Sequence, residues 1–234
     1  MQPSLIAANI QCPILSQAKL ETREFLVERS RIRRMERGEG IFLHQTPARS
    51  CFVVINGWVK LYRILDSGDE AVLRMHTRGE AFAFADVLRR GDHQYGADAA
   101  SECLLLEIPA EALRQILNDD PTFGAILLGH SFEQIDALSD QIEALKCQSG
   151  IQRVAAFLRY HARPKGNHLF VTLPYEKVLM AAYLGIKPES LSRALAKLRQ
   201  HGVVAVDGGL EITDQGALDE LIASRTVERR MAAR

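Results

Sequence analysis

Four cysteines among 234 residues, Cys12, Cys51, Cys103 and Cys147, never approach a Cys-x-x-Cys spacing. That disfavours a zinc knuckle, a thioredoxin-like site and a local iron–sulfur-binding run, and predicts isolated, buried and therefore inert thiols. No His-x-His pair occurs either. A cupin-type metal enzyme, which would want such a pair with a later Glu and His on facing strands, lacks its ligands here. No apolar run reaches the roughly 18 residues that a membrane-spanning helix needs, and the start MQPSLIAANIQCPIL has neither the basic opening nor the long apolar stretch of a signal peptide. The expectation is a reduced, cytoplasmic protein with no membrane partner. Net charge is missing as well, 29 Lys+Arg standing against 29 Asp+Glu. Neutrality gives no case for a polyanionic partner until the charge is divided along the chain.

What is present is ordinary globular composition, 47% hydrophobic and 25% charged, enough for one large domain or two average ones. From about Ile32 to Ile108 short apolar runs alternate with glycine turns: Gly40-Ile-Phe-Leu, Cys51-Phe-Val-Val-Ile-Asn-Gly-Trp-Val-Lys-Leu-Tyr-Arg-Ile, Asp66-Ser-Gly-Asp-Glu, Ala71-Val-Leu-Arg-Met. Asn56-Gly57 between two β-forming runs predicts a type I′ hairpin, whose central positions both need φ > 0. Many short strands at this spacing predict an antiparallel roll or barrel.

After Pro109 the period changes. Leu128, Ile135 and Ile142 are seven apart, and Leu138 and Leu145 interleave at steps of three and four. This is an a/d seam on a helix of roughly 25 residues, with Glu133, Gln134, Asp136, Asp140, Gln141 and Glu143 on its other faces. Two readings are open: a helix–helix seam between two copies of the chain, or packing of the helix on its own domain.

Gln148-Ser-Gly150 ends the seam, and the composition shifts. From Gly150 to Arg234 thirteen basic residues stand against eight acidic ones, an excess of +5 that leaves −5 on residues 1–149. Within this part lies Leu173-Pro-Tyr-Glu-Lys-Val-Leu-Met-Ala-Ala-Tyr-Leu-Gly-Ile-Lys-Pro-Glu-Ser-Leu-Ser-Arg-Ala-Leu-Ala-Lys-Leu-Arg-Gln-His-Gly. Val178, Ala182 and Leu184 give the first helix an apolar face, Gly185 takes the tight turn, and Pro188 suits the first position of a second helix. Leu191, Leu195 and Leu198 form the buried face of that second helix, which turns Glu189, Ser192, Arg193, Ala196 and Lys197 outward. The pattern is a helix-turn-helix, whose second helix enters the major groove. Arg193 can take guanine O6 and N7 bidentately, Glu189 can accept from cytosine N4, and Ser192 can meet a base or phosphate. Lys187, Lys197 and Arg199 are placed for phosphates, which give affinity without sequence information. Val203-Val-Ala-Val-Asp-Gly-Gly-Leu-Glu-Ile reads as a two-stranded wing, followed by a helix from about Gln215 to Ser224 that packs Leu218, Leu221 and Ile222 and runs into a basic tail.

Roll, seam helix and winged helix in this order resemble the CRP/FNR superfamily of bacterial transcription regulators over roughly residues 15–224. Gly57-Trp-Val-Lys-Leu-Tyr-Arg, Arg78-Gly-Glu-Ala-Phe and Gly185-Ile-Lys-Pro-Glu-Ser-Leu-Ser-Arg carry the resemblance. It implies an α+β chain with a cyclic-nucleotide-binding-like β-roll over 1–120, a dimerisation helix over 121–149 and a winged helix-turn-helix over 150–234. FNR-like and DNR-like members show E-x-x-S-R in the recognition helix, and Glu189, Ser192 and Arg193 fill those places. The implied function is a homodimeric activator, not an enzyme, that binds an inverted repeat of TTGAT-like half-sites in double-stranded DNA and works with RNA polymerase.

Departures from the family pattern narrow the signal. Cyclic-nucleotide-binding members hold the cyclic phosphate with an Arg-Ser or Arg-Thr pair, and here Gly79-Glu80 is kept but the clamp region reads His93-Gln-Tyr-Gly. Cyclic AMP is therefore not expected, and a cyclic-nucleotide-responsive regulator is the alternative reading. Cys12 alone does not supply the N-terminal cysteine cluster of an FNR-type iron–sulfur site. The remaining resemblance is to the DNR-type branch, associated with nitric oxide sensing through haem. Haem wants an axial ligand and an apolar pocket. The candidate ligands are His44, His76, His93, His130, His161 and His168, among which the sequence does not choose.

Overall fold

The computed structural model describes residues 12–173 and 176–224; the basic tail expected from residue 225 lies outside them. The chain divides into two compact units at Ile135/Asp136, within its longest helix.

The first unit opens with α1 (Pro13–Gln17) and α2 (Leu20–Glu28) and continues into eight short strands. β1 (Arg31–Met35), β8 (Cys103–Pro109), β3 (Ser50–Asn56) and β6 (Ala81–Phe82) make one antiparallel sheet in that order. β2 (Gly40–Phe42), β7 (Gly96–Ala99), β4 (Trp58–Ile64) and β5 (Glu70–Thr77) make the other. Met35, Phe52, Val54, Cys103 and Leu105 of the first sheet share a core with Ile41, Val59, Leu61, Ala97 and Ala99 of the second. The opposite face of β3 and β8, carrying Cys51, Val53, Leu106 and Ile108, is covered by helices. Both faces of β3 are thus buried, so Cys51-Phe-Val-Val is a continuous apolar run without polar alternation. The covering helices are α1, α2, α4 (Ala110–Asp119) and the start of α5 (Pro121–Cys147), through Leu15, Leu26, Leu113, Ile116, Phe123 and Leu127. A short helix, α3 (Phe84–Arg89), follows β6.

Asn56-Gly57 is not a hairpin turn. β3 and β4 lie in different sheets, and the dipeptide carries the chain from one to the other. Gly57 alone has positive φ (+88°), and a Cβ there would fall 2.2 Å from the Glu102 carbonyl oxygen. The glycine answers a close backbone approach at a corner of the roll, where a type I′ turn would need positive φ at Asn56 too. The hairpin joins β4 to β5 instead, around Asp66-Ser-Gly-Asp.

The second unit begins in the C-terminal half of α5 and continues with α6 (Gly150–His161), whose start is closed by a capping box between Ser149 and Gln152. β9 (Arg163–Lys165) and β10 (His168–Val171) precede α7 (Lys177–Tyr183) and α8 (Pro188–Leu198). After a single 3-10 turn, β11 (Val203–Val206) and β12 (Gly209–Ile212) form the expected hairpin on Asp207-Gly208 and join β10 and β9 in a sheet ordered β11-β12-β10-β9. The last helix is α9 (Gln215–Ala223), which buries Leu218 and leaves Leu221 and Ile222 half-buried. Three details depart from the sequence reading. Val178 is 63% exposed and Ala182 is exposed, because α7 buries its Met180, Ala181, Leu184 face, and Ala182, two residues before Leu184, points away from it. In α8 the buried residues are Leu191, Ala194 and Leu198, at steps of three and four, with Leu195 half-buried at the edge. Cys147, expected to be buried, is exposed at the last position of α5; Cys12, Cys51 and Cys103 are buried.

Candidate DNA-binding interface

The turn between α7 and α8 sets the recognition helix. Leu184 ends α7, Gly185 takes φ +63°, the Ile186 amide donates to the Ala181 carbonyl at 3.0 Å and the Gly185 amide to the Ala182 carbonyl at 3.2 Å. This is a Schellman closure, which stops one helix and redirects the chain within three residues. Lys187 then stands at the N-cap of α8 with Pro188 at its first position. Glu189, Ser192, Arg193 and Lys197 are all exposed on α8, and Lys187 and Arg199 flank it, also exposed. Arg193 lies along its own helix, donating from Nε to the Glu189 carbonyl at 3.4 Å and from Nη2 to Ser190 Oγ at 3.3 Å. These are long bonds on an exposed face, easily exchanged for a base edge.

Beside α8 runs a groove of about 450 Å³ between that helix and the wing, lined by Ser192, Ala196 and Arg199 on one side and Ala205 and Gly208 on the other. Thr172 and Lys177 also line it. They were not singled out by spacing, since their place depends on how β10 and α7 pack against α8. Arg153 was likewise only a charge in the sequence. In the structure its guanidinium donates to three carbonyls, from Nη1 to Gln148 at 2.9 Å, from Nε to Leu184 at 2.9 Å and from Nη2 to Gly185 at 3.4 Å. It ties the end of α5 to the helix-turn-helix corner.

On α5 the seam residues are uncovered. Leu128 and Ile135 in the first unit, and Leu138, Ile142 and Leu145 in the second, are between 45 and 57% exposed, and Phe132, missed by the heptad count, joins them. Only Phe123 and Leu127 of this 27-residue helix are buried.

The histidines are scattered. His44 and His168 are exposed. His76 is buried with its ring over Phe82 and Nδ1 3.5 Å from Glu80. His93 is stacked on Phe42 at a centroid distance of 3.6 Å with Nδ1 3.3 Å from Asp86. His130 lies near Glu133 on α5, and His161 packs on Phe157 and Tyr160. Among the described residues no three His, Cys, Asp or Glu side chains converge as a metal site. Next to His93, Tyr95 is held protonated by burial and by the Asp86 charge, and Gly96 sits under the Tyr62 ring, where a Cβ would come within 2.7 Å. The segment His93-Gln94-Tyr95-Gly96 is thus packed by aromatic rings.

The model of the cyclic nucleotide-binding domain matches residues 32–120, and that of the Crp-like helix-turn-helix domain matches residues 152–221. A Ruegeria pomeroyi protein named for cyclic nucleotide binding is 35% identical over 95% of this chain and 99% of its own, with a TM-score of 0.74. The chain belongs to the CRP/FNR family of transcription regulators. Other CRP/FNR proteins similar to it are electron transport regulator A of Shewanella oneidensis, 26% identical over 92% of this chain and 87% of its own, and the fumarate and nitrate reduction regulatory protein of Escherichia coli, 25% identical over 88% and 84%. CRP/FNR regulators act by binding DNA through the helix-turn-helix and are not enzymes. No helix among the described residues is long and apolar enough to cross a membrane.

Proposed function

We propose that this CRP/FNR regulator is a cytoplasmic homodimer that reads an inverted repeat of TTGAT-type half-sites and activates transcription through RNA polymerase, with the β-roll receiving the signal. The observation that carries the reading is the exposed row Glu189, Ser192 and Arg193 in the first two turns of α8, beside a wing and the exposed cations Lys187, Lys197 and Arg199. N-terminal side chains of a recognition helix are those that reach base edges. The dimer is supported by the apolar stripe on α5, which neither unit covers. A dimer that reads an inverted repeat has to present its two recognition helices about 34 Å apart, one turn of B-DNA. An electrophoretic mobility shift with a TTGAT-N4-ATCAA duplex tests the reading. Tight binding that a scrambled duplex does not compete is expected, and equal binding to both would overturn sequence specificity.

A further inference from the structure

A second cavity, of about 410 Å³, opens on the first unit where three segments meet: the approach to β3 at Arg49, the loop after α3 at Arg90 and Asp92, and the first turns of α4 at Glu111 and Arg114. The segments are fastened to one another through backbone. Ala48 N–H donates to the Gly91 carbonyl at 3.2 Å, Ala110 N–H to the Arg49 carbonyl at 2.9 Å, and Pro47 and Asp92 form an isolated β-bridge. The frame is therefore fixed before any ligand arrives. None of the three arginines and two carboxylates around it makes an ion pair with another charged group among the described residues. Arg114 donates Nη2–H to the Val87 carbonyl at 3.3 Å and keeps its Nε–H buried with no acceptor. α4, ten residues long, is preceded by Pro109, which has no side chain to accept from its first amides. Arg90 itself sits at the C-cap of α3 with φ +54°, a left-handed conformation that glycine adopts at less cost. A long cation kept at a position fit for glycine points to a role for its charge.

We infer that this cavity binds the phosphoryl group of a small phosphorylated ligand, gripped by Arg49, Arg90 and Arg114 together. A planar carboxylate is satisfied by one guanidinium fork, whereas the several oxygens of a phosphoryl group can engage three. Asp92 and Glu111 are left to accept from hydroxyl or amine groups on the rest of the ligand. Nothing in this site is shared with the helix-turn-helix, so it stands or falls separately from the DNA-binding reading.

Titration calorimetry of the full chain with pyrophosphate, and in parallel with citrate as a carboxylate anion, is the test. Saturable binding of pyrophosphate well above that of citrate is expected. Arg49→Gln and Arg90→Gly should each weaken it about tenfold, the loss of roughly one charged hydrogen bond. Arg90→Gly should at the same time melt no lower than the parent protein, because the left-handed position is relieved. Arg193→Ala, in the helix-turn-helix, should leave pyrophosphate binding unchanged. Binding that is not saturable, that citrate matches, that survives both arginine substitutions, or that falls with Arg193→Ala instead would overturn the site.

Discussion

Nε of Arg153 donates to the carbonyl of Leu184 at 2.9 Å, and the same guanidinium reaches Gln148 and Gly185. Leu184 and Gly185 form the corner of the helix-turn-helix, and Gln148 follows the last residue of α5. Leu145 adds packing at this joint, its Cδ2 lying 3.2 Å from where a Cβ on Gly185 would stand. Arg153→Ala removes the donors from three carbonyls at once. The DNA-binding unit should lose about 1–3 kcal/mol of stability, read as a lower urea midpoint. DNA affinity should fall for all sequences alike, since Arg153 orients the recognition helix without facing it. Arg153→Lys should restore little, because an ammonium cannot reproduce the planar fork.

Asp120 joins α2 to the start of α5. Its carboxylate accepts from Thr122 Oγ1 at 2.5 Å, Thr22 Oγ1 at 2.7 Å and Lys19 Nζ at 2.9 Å, and these donors hold it well below the usual 3.8. A carboxyl whose folded pKa is depressed stabilises the fold above its unfolded pKa, and that stabilisation is lost as pH falls through the folded value. The protein should therefore lose stability progressively below about pH 4. Asp120→Asn should lower the urea midpoint at pH 7 and narrow its difference from the parent at pH 3. Thr22→Val, which removes a single buried hydrogen bond, should cost about 1–2 kcal/mol at pH 7.

Patterns that depend on a local repeat were legible in the sequence. The α5 seam, the proline and glycine around the α7–α8 turn, the Asp207-Gly208 wing and the outward row Glu189, Ser192 and Arg193 all follow from spacing along one helix or hairpin. Asn56-Gly57 misled because the same dipeptide serves a tight turn and a corner between sheets, and only the partner strands distinguish them. Val178 misled because Val178 and Ala182 share a face one turn apart that Leu184, two residues further on, does not share, and it is Leu184's side that is buried. Arg153, Thr172 and Lys177 were silent because their partners are brought near by tertiary packing and leave no periodic trace.

The histidine environments make a negative spectroscopic prediction. Since His93 is buried with its ring stacked on Phe42, His93→Ala should leave any Soret band obtained with added haem unchanged in position. A band that disappears in that variant would mean the packing of Phe42 on His93 opens to admit haem.

The seam predicts a change of assembly without a change of fold. Ile135 and Ile142 are more than half exposed, so Ile135→Glu with Ile142→Glu disturbs neither unit's interior. A charge at two successive positions of the same heptad row should be severe for a helix pair. Sedimentation velocity should show the parent chain as a dimer and the double variant as a monomer with the same circular dichroism. DNA affinity should drop steeply, because a monomer engages one half-site and forfeits the effective concentration of the second.

The base and phosphate contacts proposed for α8 should separate by how they respond to salt. Arg193 lies near the N-terminal end of α8 and can drop its long bonds to Glu189 and Ser190 for a guanine. Arg193→Ala should cost about 1–3 kcal/mol on the TTGAT duplex and flatten the preference for guanine at one position of each half-site. Lys197 lies at the other end of the exposed row, where a phosphate contact carries no base information. Lys197→Ala should weaken specific and scrambled duplexes equally and reduce the slope of log affinity against log salt by about one for each subunit. If instead both variants changed only the slope, α8 would be lying on the backbone, and specificity would have to come from the shape of the DNA.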